Sequence, residues 1–508
     1  MTPIILDFVA HNARTMPNGV AAVELATGRR WTFAEFDADV RRAEAMLRDR
    51  LPQPEGARVV MISRNSATML IVQQACVRTG AIFVPLNWRL AAPEIAFLIE
   101  DCTPSLLIHE ALFDGLVPPG FPAPVLRIAD DRDEVAEAMA AYEAHNIGEG
   151  RRLDPEQPIT ILYSSGTTGR PKGAVVSLLN GFTGGLGLVL GTHIGPASRF
   201  LVEMPLFHTA GLFGACWSTM IVGARLVIGQ KFDAQATYDR LADPEQGITH
   251  FFSVTQMAMQ MRLLPGFDGR RLARLTAYVT GGSPNPEAHH RAWLEEGVMM
   301  ANGWGMSETC SSTALPIGDI ELLRRKAGSI GVPHLAVELK AVRADGEEAS
   351  VGEVGELWAR GATVTTGYWN RPELNKQAFV DGWFKTGDAA MRDEDGYWTL
   401  VDRIKDMFIS GGENIYPAEI EAAIAEMPEV AEVAVIGIDH ERWGEVGAAF
   451  VIPRAGVALD AATVLAHCDR RLARYKIPKE VIVTNEIVRT ASGKVQKHLL
   501  RERYKADA

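Results

Sequence analysis

The 508-residue sequence predicts an α/β protein, with a large N-terminal domain over residues 1–402 and a small α+β C-terminal domain over 403–508. Three observations carry that prediction. Short apolar runs alternate with helix-like patterns through the first part of the chain, as layered sheets and helices require. After Gly328 the pattern changes to period two, broken by glycine and acidic turns, which reads as a small antiparallel β unit. A break at Asp402-Arg403-Ile404-Lys405-Asp406 leaves roughly a hundred residues, enough for an independent small domain.

Taken in order, helix-like patterns over 33–50 and 66–79 alternate with the strand-like runs Val59-Val60-Met61-Ile62 and Ala81-Ile82-Phe83-Val84. Pro118-Pro119-Gly120-Phe121-Pro122 marks a surface loop. Two apolar runs, 159–162 and 174–176, flank a stretch rich in glycine and hydroxyl residues, and further strands are expected at 225–228, 250–254 and 275–279 with helices between them. Segments 337–342 and 355–358 belong to the antiparallel unit, and 396–401 is its strand before the break. Beyond it, Pro417 suits the first residue of a helix whose Ile420, Ala423, Ile424 and Met427 share a face. A strand at 433–438, a helix at 463–475 and a strand at 480–483 follow.

Composition narrows the function. An apolar content of 47% and a charged content of 22% describe a globular protein with ample core. The net charge of −12 argues against a protein whose whole surface binds nucleic acid or anionic membrane. An anionic ligand must then meet locally gathered cations, and nine collect late in the chain: Arg470, Arg471, Arg474, Lys476, Lys479, Lys494, Lys497, Arg501 and Arg503. The five scattered cysteines form neither a disulfide framework nor a zinc pattern, which fits a reducing cytoplasm. No signal peptide is expected from residues 1–14, and no run is long and apolar enough to span a membrane.

The most informative segment is Tyr163-Ser164-Ser165-Gly166-Thr167-Thr168-Gly169-Arg170-Pro171-Lys172-Gly173. Glycine lets backbone amides turn toward an anion, and the hydroxyls and the Lys172 ammonium add donors, so phosphate is the guest it suits. It is not a Walker A loop, because Pro171 stands where that pattern needs its second glycine and no Ser or Thr follows Lys172. Four other segments look chemical. Gly281-Gly282-Ser283-Pro284 offers a backbone edge to a flat base, and 302–309 (Asn-Gly-Trp-Gly-Met-Ser-Glu-Thr) places an aromatic between glycines, then a hydroxyl and a carboxylate that suits Mg²⁺. Thr386-Gly387-Asp388 puts a carboxylate on a tight turn, where it can accept both hydroxyls of a ribose, and 489–494 is a short loop presenting Lys494. Singly, each reads as well as an ordinary turn.

Together and in this order, from about Trp31 to Arg501, these segments resemble the adenylate-forming superfamily of acyl- and aryl-CoA synthetases, firefly luciferases and peptide-synthetase adenylation domains. The bacterial fatty-acid–CoA ligases and plant-type 4-coumarate–CoA ligases, with feruloyl-CoA synthetases beside them, are nearest in pattern. The resemblance implies that the antiparallel unit is barrel-like and that the C-terminal domain is mobile about a hinge at Lys405. It implies that Ser164, Ser165, Gly166, Thr167, Thr168 and Lys172 hold ATP phosphates, with Thr168 also catalytic and Ser307 a further phosphate contact. Gly282, Ser283, Asn302, Gly303, Trp304 and Gly305 would bound the adenine, with Trp304 stacking on it. Glu308 would hold Mg²⁺, Asp388 and Arg403 the ribose, and Lys494 would catalyse adenylation. His208 would line the acid pocket with Phe207, Gly211, Gly282, Gly305 and Met306; Phe213, Trp217 and Val254 are expected on its walls. Gly411, Gly412, Glu413 and Asn414 would line the thiol channel for coenzyme A. Two departures stand out: Trp304 where the family usually has Tyr, and Val488 where a Pro is common.

The activity so implied is an ATP-dependent acid–CoA ligase: a carboxylic acid and ATP give acyl-AMP and pyrophosphate, then the CoA thiol gives acyl-CoA and AMP. ATP, Mg²⁺ and coenzyme A are the expected cofactors, with no nucleic-acid partner; a homodimer is compatible with the sequence without being required by it. The aromatic and glycine residues of the pocket suit an aryl propenoate such as ferulate or coumarate, and a medium or long fatty acid fits nearly as well. A non-catalytic nucleotide-binding module is the alternative of another class; it could dispense with Lys494 and Glu308, and both are present.

Overall fold

A computed structural model of the protein describes residues 5–144, 152–164, 171–283, 285–411, 413–489 and 495–507. Local chemistry sets the first elements. Helix Phe33–Arg50 starts where Thr32 and Glu35 exchange side-chain-to-backbone hydrogen bonds, a capping box that satisfies two otherwise orphaned amides. Helix Ala67–Thr79 is capped by Ser66 and stops at Gly80, whose φ of +80° suits a residue without Cβ. That second helix is buried almost throughout, in keeping with its near-continuous apolar sequence. Its one arginine, Arg78, is buried between Asp7 at 2.7 Å and Asp37 at 2.5 Å. Removing one partner of such a buried ion cluster typically costs about 3–5 kcal/mol, so the cluster fixes how the N-terminal helix Phe8–Thr15 sits.

Two large sheets follow. The six-stranded one runs Lys172–Ser177, Pro158–Ser164, Ile82–Pro85, Arg58–Ile62, Leu106–Glu110, Val125–Ile128, parallel except for its first pair. That antiparallel pair is a hairpin whose ends flank the glycine-rich loop. The nine-stranded sheet runs Val332–Pro333, Cys310–Ala314, Met300–Met306, Ala277–Thr280, His250–Ser253, Arg199–Val202, Arg225–Ile228, Val20–Glu24, Arg30–Thr32, and its six central strands are parallel. The carboxyl ends of such strands are where open α/β sheets place ligands. One continuous apolar core joins the two sheets and their helices.

The antiparallel unit contains Val337–Val342, Gly355–Gly361, Trp383–Arg392, Phe379–Val380 and Trp398–Arg403, around a separate core of Trp304, Val337, Leu357, Phe384 and Trp398. The chain then turns at residues 404–406 into Phe408–Ser410. Beyond the turn, Glu413–Ile415, Phe408–Ser410, Gly444–Pro453 and Val430–His440 pair antiparallel, with Glu480–Val483 parallel on the third of these. Pro417 does open helix Pro417–Ala425, and Ile420, Ala423, Ile424 and Met427 are buried as their shared face requires. This part has hydrophobic clusters of its own.

Three expectations need correction. The late helix spans Ala461–Asp469 rather than 463–475: Asp460 caps its start, and beyond Arg470 the chain continues in single turns, the Leu472 and Lys476 amides donating to the Cys468 and Ala473 carbonyls. Asp388 lies on no tight turn; it is inside strand Trp383–Arg392 at an irregularity where Gly387 has φ +72°. The late cations are also less available than their number suggests, since Arg471, Lys476, Lys497 and Arg501 pair with Glu426, Glu419, Glu421 and Asp406. Among the described residues no helix is long and apolar enough to cross a membrane.

Candidate active site

Ser164 and Lys172 close the base of the hairpin opposite one another in register. The residues between them that were assigned to phosphate, Ser165, Gly166, Thr167 and Thr168, lie outside the described residues, as do Gly412 and Lys494. What surrounds the hairpin base is well defined. The Lys172 ammonium sits 5.5 Å from the centre of the Tyr368 ring. Tyr368 donates its hydroxyl to Glu308 Oε1 at 2.8 Å, and burial beside that carboxylate raises the phenol well above its ordinary range, so it stays a donor. Glu308 is 6% exposed, and its backbone carbonyl accepts from the Thr365 amide. Tyr368 is thus approached by the Lys172 ammonium on its ring and bonded to the Glu308 carboxylate through its hydroxyl, beside the described end of the 163–173 segment. Among the described residues no cluster of three metal-ligating side chains exists. A lone carboxylate is what Mg²⁺ needs when substrate phosphates supply most of its ligands.

The edge expected to meet the base lies at the ends of adjacent parallel strands. Ser283 Oγ is buried with no hydrogen-bond partner among the described residues, an orphaned polar atom that a nucleotide could satisfy. Asn302 is held from two sides. Asn285 donates to its Oδ1 at 2.8 Å, and its Nδ2 lies 3.1 Å from His290 Nδ1. His290 Nε2 lies 2.9 Å from the Met300 carbonyl, so the neutral tautomer with hydrogen on Nε2 satisfies both contacts. Burial lowers the pKa of His290 and takes that of His289 down to about 4, keeping both rings uncharged. Sequence reasoning missed this pair and Tyr368; the only signal was the dipeptide His289-His290 on a helix beside the strand that carries Asn302.

The glycines flanking Trp304 have a packing reason. A Cβ at Gly305 would lie 1.9 Å from the Cys310 carbonyl oxygen, and one at Gly303 would lie 3.0 Å from that of Thr313. Both let strand Cys310–Ala314 fold back closely on Met300–Met306. Trp304 itself is 6% exposed, and its indole N–H donates to Asp388 Oδ2 at 2.8 Å. Arg403 reaches the other oxygen of the same carboxylate at 2.6 Å. The Cys310 thiol is pushed up to about 12 by burial, so it packs rather than reacts.

His208 follows Phe207, their rings 4.7 Å apart edge to face, on a loop pinned by Asn65, which donates to the Met204 carbonyl and accepts from the Leu206 amide. Met306 and Val254 are half-buried. Phe213 and Trp217 are fully buried, with Trp217 packed edge-on against Phe8 as well as Phe213. Gly211 lets its turn approach Pro205, whose carbonyl oxygen a Cβ would meet at 2.3 Å. Gly411, with φ +61°, packs on Trp443, and Glu413 and Asn414 are exposed on the hairpin that follows.

Glu203 opens the same loop with no side-chain exposure, and burial raises its pKa to about 7 against the pull of Thr237 and Arg240. A folded value above the unfolded one, near 4.3, means stability is fully present below that pH and is lost as pH climbs toward 7, by about 3 kcal/mol in all. Glu203→Gln should therefore flatten the fall in melting temperature between pH 5 and 7.5; an unchanged slope would show that this carboxyl does not titrate there.

Fold and site together define an adenylate-forming acid–CoA ligase. The chain belongs to the AMP-binding enzyme family, whose model matches residues 9–369, while the model of the AMP-binding enzyme C-terminal domain matches 419–494. It is 38% identical to an indoleacetate–CoA ligase of Aromatoleum aromaticum, covering 87% of this chain and 88% of that one. It is 35% identical to a feruloyl-CoA synthase of an Amycolatopsis species, over 97% of each. A long-chain-fatty-acid–CoA ligase of Mycobacterium tuberculosis is 33% identical, again over 97% of each. Among solved structures, ATP-bound MatB from Rhodopseudomonas palustris superposes with a TM-score of 0.90 at 31% identity, covering 98% of this chain and 99% of that one.

Proposed function

We propose that this ligase activates an aryl-substituted carboxylic acid of the ferulate or coumarate type, in two half-reactions served by one site. The observation that carries the nucleotide part is the pairing of Glu308, Tyr368 and Lys172 at the base of the 163–173 hairpin, with Asp388 bracketed by Trp304 and Arg403. A carboxylate attacking an α-phosphate brings anion to anion, so the barrier is largely electrostatic. Lys172, the loop hydroxyls and Lys494 are the groups that neutralise charge as pyrophosphate leaves, and Asn302 with Ser283 orients the base. Mg²⁺, held through Glu308, supplies further charge neutralisation on the phosphates. His208 and Phe207 position the acid. In the second half-reaction Gly411 to Asn414 replace the Lys494 loop at the site, with the hinge at Lys405 and the domain boundary at 402/403.

The aryl preference is supported by the acids named for the indoleacetate and feruloyl relatives and by the Phe207–His208 ring pair. A panel of ferulate, coumarate, indoleacetate, octanoate and palmitate in a CoA-dependent pyrophosphate assay tests it. The expected result is a kcat/KM for an aryl acid about 10-fold or more above either fatty acid, the scale that one well-fitted group in an apolar pocket provides. A fatty acid in first place would overturn the aryl assignment; no pyrophosphate with any acid would overturn the ligase reading itself.

A further inference from the structure

We propose that Trp304 is a positioning residue for the nucleotide: its indole N–H fixes the Asp388 carboxylate for the ribose hydroxyls. The inference rests on the reading of Asp388 as the ribose acceptor and adds to it a role that a stacking aromatic does not have.

The geometry gives Trp304 a polar contact beside its ring. Trp304 has 6% of its surface exposed and belongs to the core of the antiparallel unit with Ile330, Val337, Leu357 and Trp398. Its one polar atom is committed to Asp388 Oδ2 at 2.8 Å. Asp388 is 4% exposed, and a carboxylate that deeply placed must be met by donors. An ionised carboxylate offers about four acceptor positions. Trp304 takes one on Oδ2 and Arg403 one on Oδ1, leaving one on each oxygen. Two neighbouring hydroxyls, as on a ribose, match that remainder.

The two donors differ in what carries them. Trp304 is on strand Met300–Met306, inside the nine-stranded sheet. Arg403 ends strand Trp398–Arg403, immediately before the turn into the C-terminal part, and its side chain is 35% exposed. Arg403 stands opposite Asp388 in the register of two paired strands, so its guanidinium reaches the carboxylate from the same antiparallel unit, whereas the indole comes from the other sheet and ties the two together at this carboxylate. A phenylalanine at 304 would keep the ring and lose the donor.

The test measures pyrophosphate release with ATP and with 2′,3′-dideoxy-ATP for the wild type, Trp304→Phe and Asp388→Ala. Trp304→Phe should narrow the preference for ATP about 10-fold, chiefly through a higher KM for ATP, the effect of losing one hydrogen bond to a charged group. Asp388→Ala should remove the preference. Equal losses on both nucleotides in Trp304→Phe, with the preference intact, would reduce Trp304 to packing and overturn the inference. An intact preference in Asp388→Ala would instead overturn the ribose assignment, and this inference with it. Should Trp304→Phe fold poorly, β-(3-benzothienyl)alanine at 304 preserves the shape without the N–H and is read against the same two outcomes.

Discussion

Lys494→Ala should lower the rate of acyl-adenylate formation by about 10²–10³-fold, the usual cost of removing one well-placed donor to a developing negative charge. Thioester formation from supplied acyl-adenylate should stay within a few-fold of wild type. Lys494 lies outside the described residues, but the ends of its segment are defined. Arg489 and Val495 form an antiparallel bridge, and the Gln496 amide donates to the Val488 carbonyl at 2.9 Å. A residue carried between two paired strand ends on the small domain can be delivered to the phosphates and withdrawn as a unit. The substituted side chain is distant in sequence from the 411–414 hairpin assigned to the thiol, so only the first half-reaction should feel its loss. Single-turnover measurement of each half-reaction decides the matter, and an equal loss in both would refute the assignment.

How much of this was legible in the sequence follows from the range of the interactions involved. Periodicity located helix Phe33–Arg50 and strand Glu480–Val483 to the residue, because capping and alternation are local properties. The turn at 404–406 was visible as a break in pattern. Helix Ala461–Asp469 was overextended because apolar residues that pack on the core, Leu472 and Ile477, recur beyond it in single turns. The motifs located Glu308, Asp388 and Asn302, since glycine and hydroxyl residues around them are distinctive. Their supports were not legible. Tyr368 lies 60 residues from Glu308 in sequence, and Trp304 lies 84 from Asp388. Nothing in a linear pattern announces a hydrogen bond across such separations. An apolar run such as that of Phe213 and Trp217 shows that residues are buried, not whether they face a pocket or a core.

Lys405→Pro should slow thioester formation by about 10-fold or more while leaving adenylation within a few-fold, because it stiffens the residue proposed as the pivot of the small domain. The amides of Ile404, Asp406 and Met407 are engaged, to the carbonyls of Gly387, Arg403 and Arg403, and Lys405 itself is exposed. No described hydrogen bond uses the Lys405 amide that proline would remove. What proline takes away is range: φ is held near −65°, and residue 404 is pushed from helical toward extended values. Hinge motions concentrate large φ/ψ changes in a few such residues. One contact that must separate is polar: Asp402 accepts from the Ala418 amide at 2.7 Å. Polar contacts exchange readily for water, so the pivot rather than the interface should limit the swing. Lys405→Ala separates the two effects of the substitution, removing the side chain while leaving the backbone free. If alanine slows the thioester step as much as proline does, the side chain and not the hinge is responsible; if proline changes neither half-reaction, the rotation takes place elsewhere in the chain.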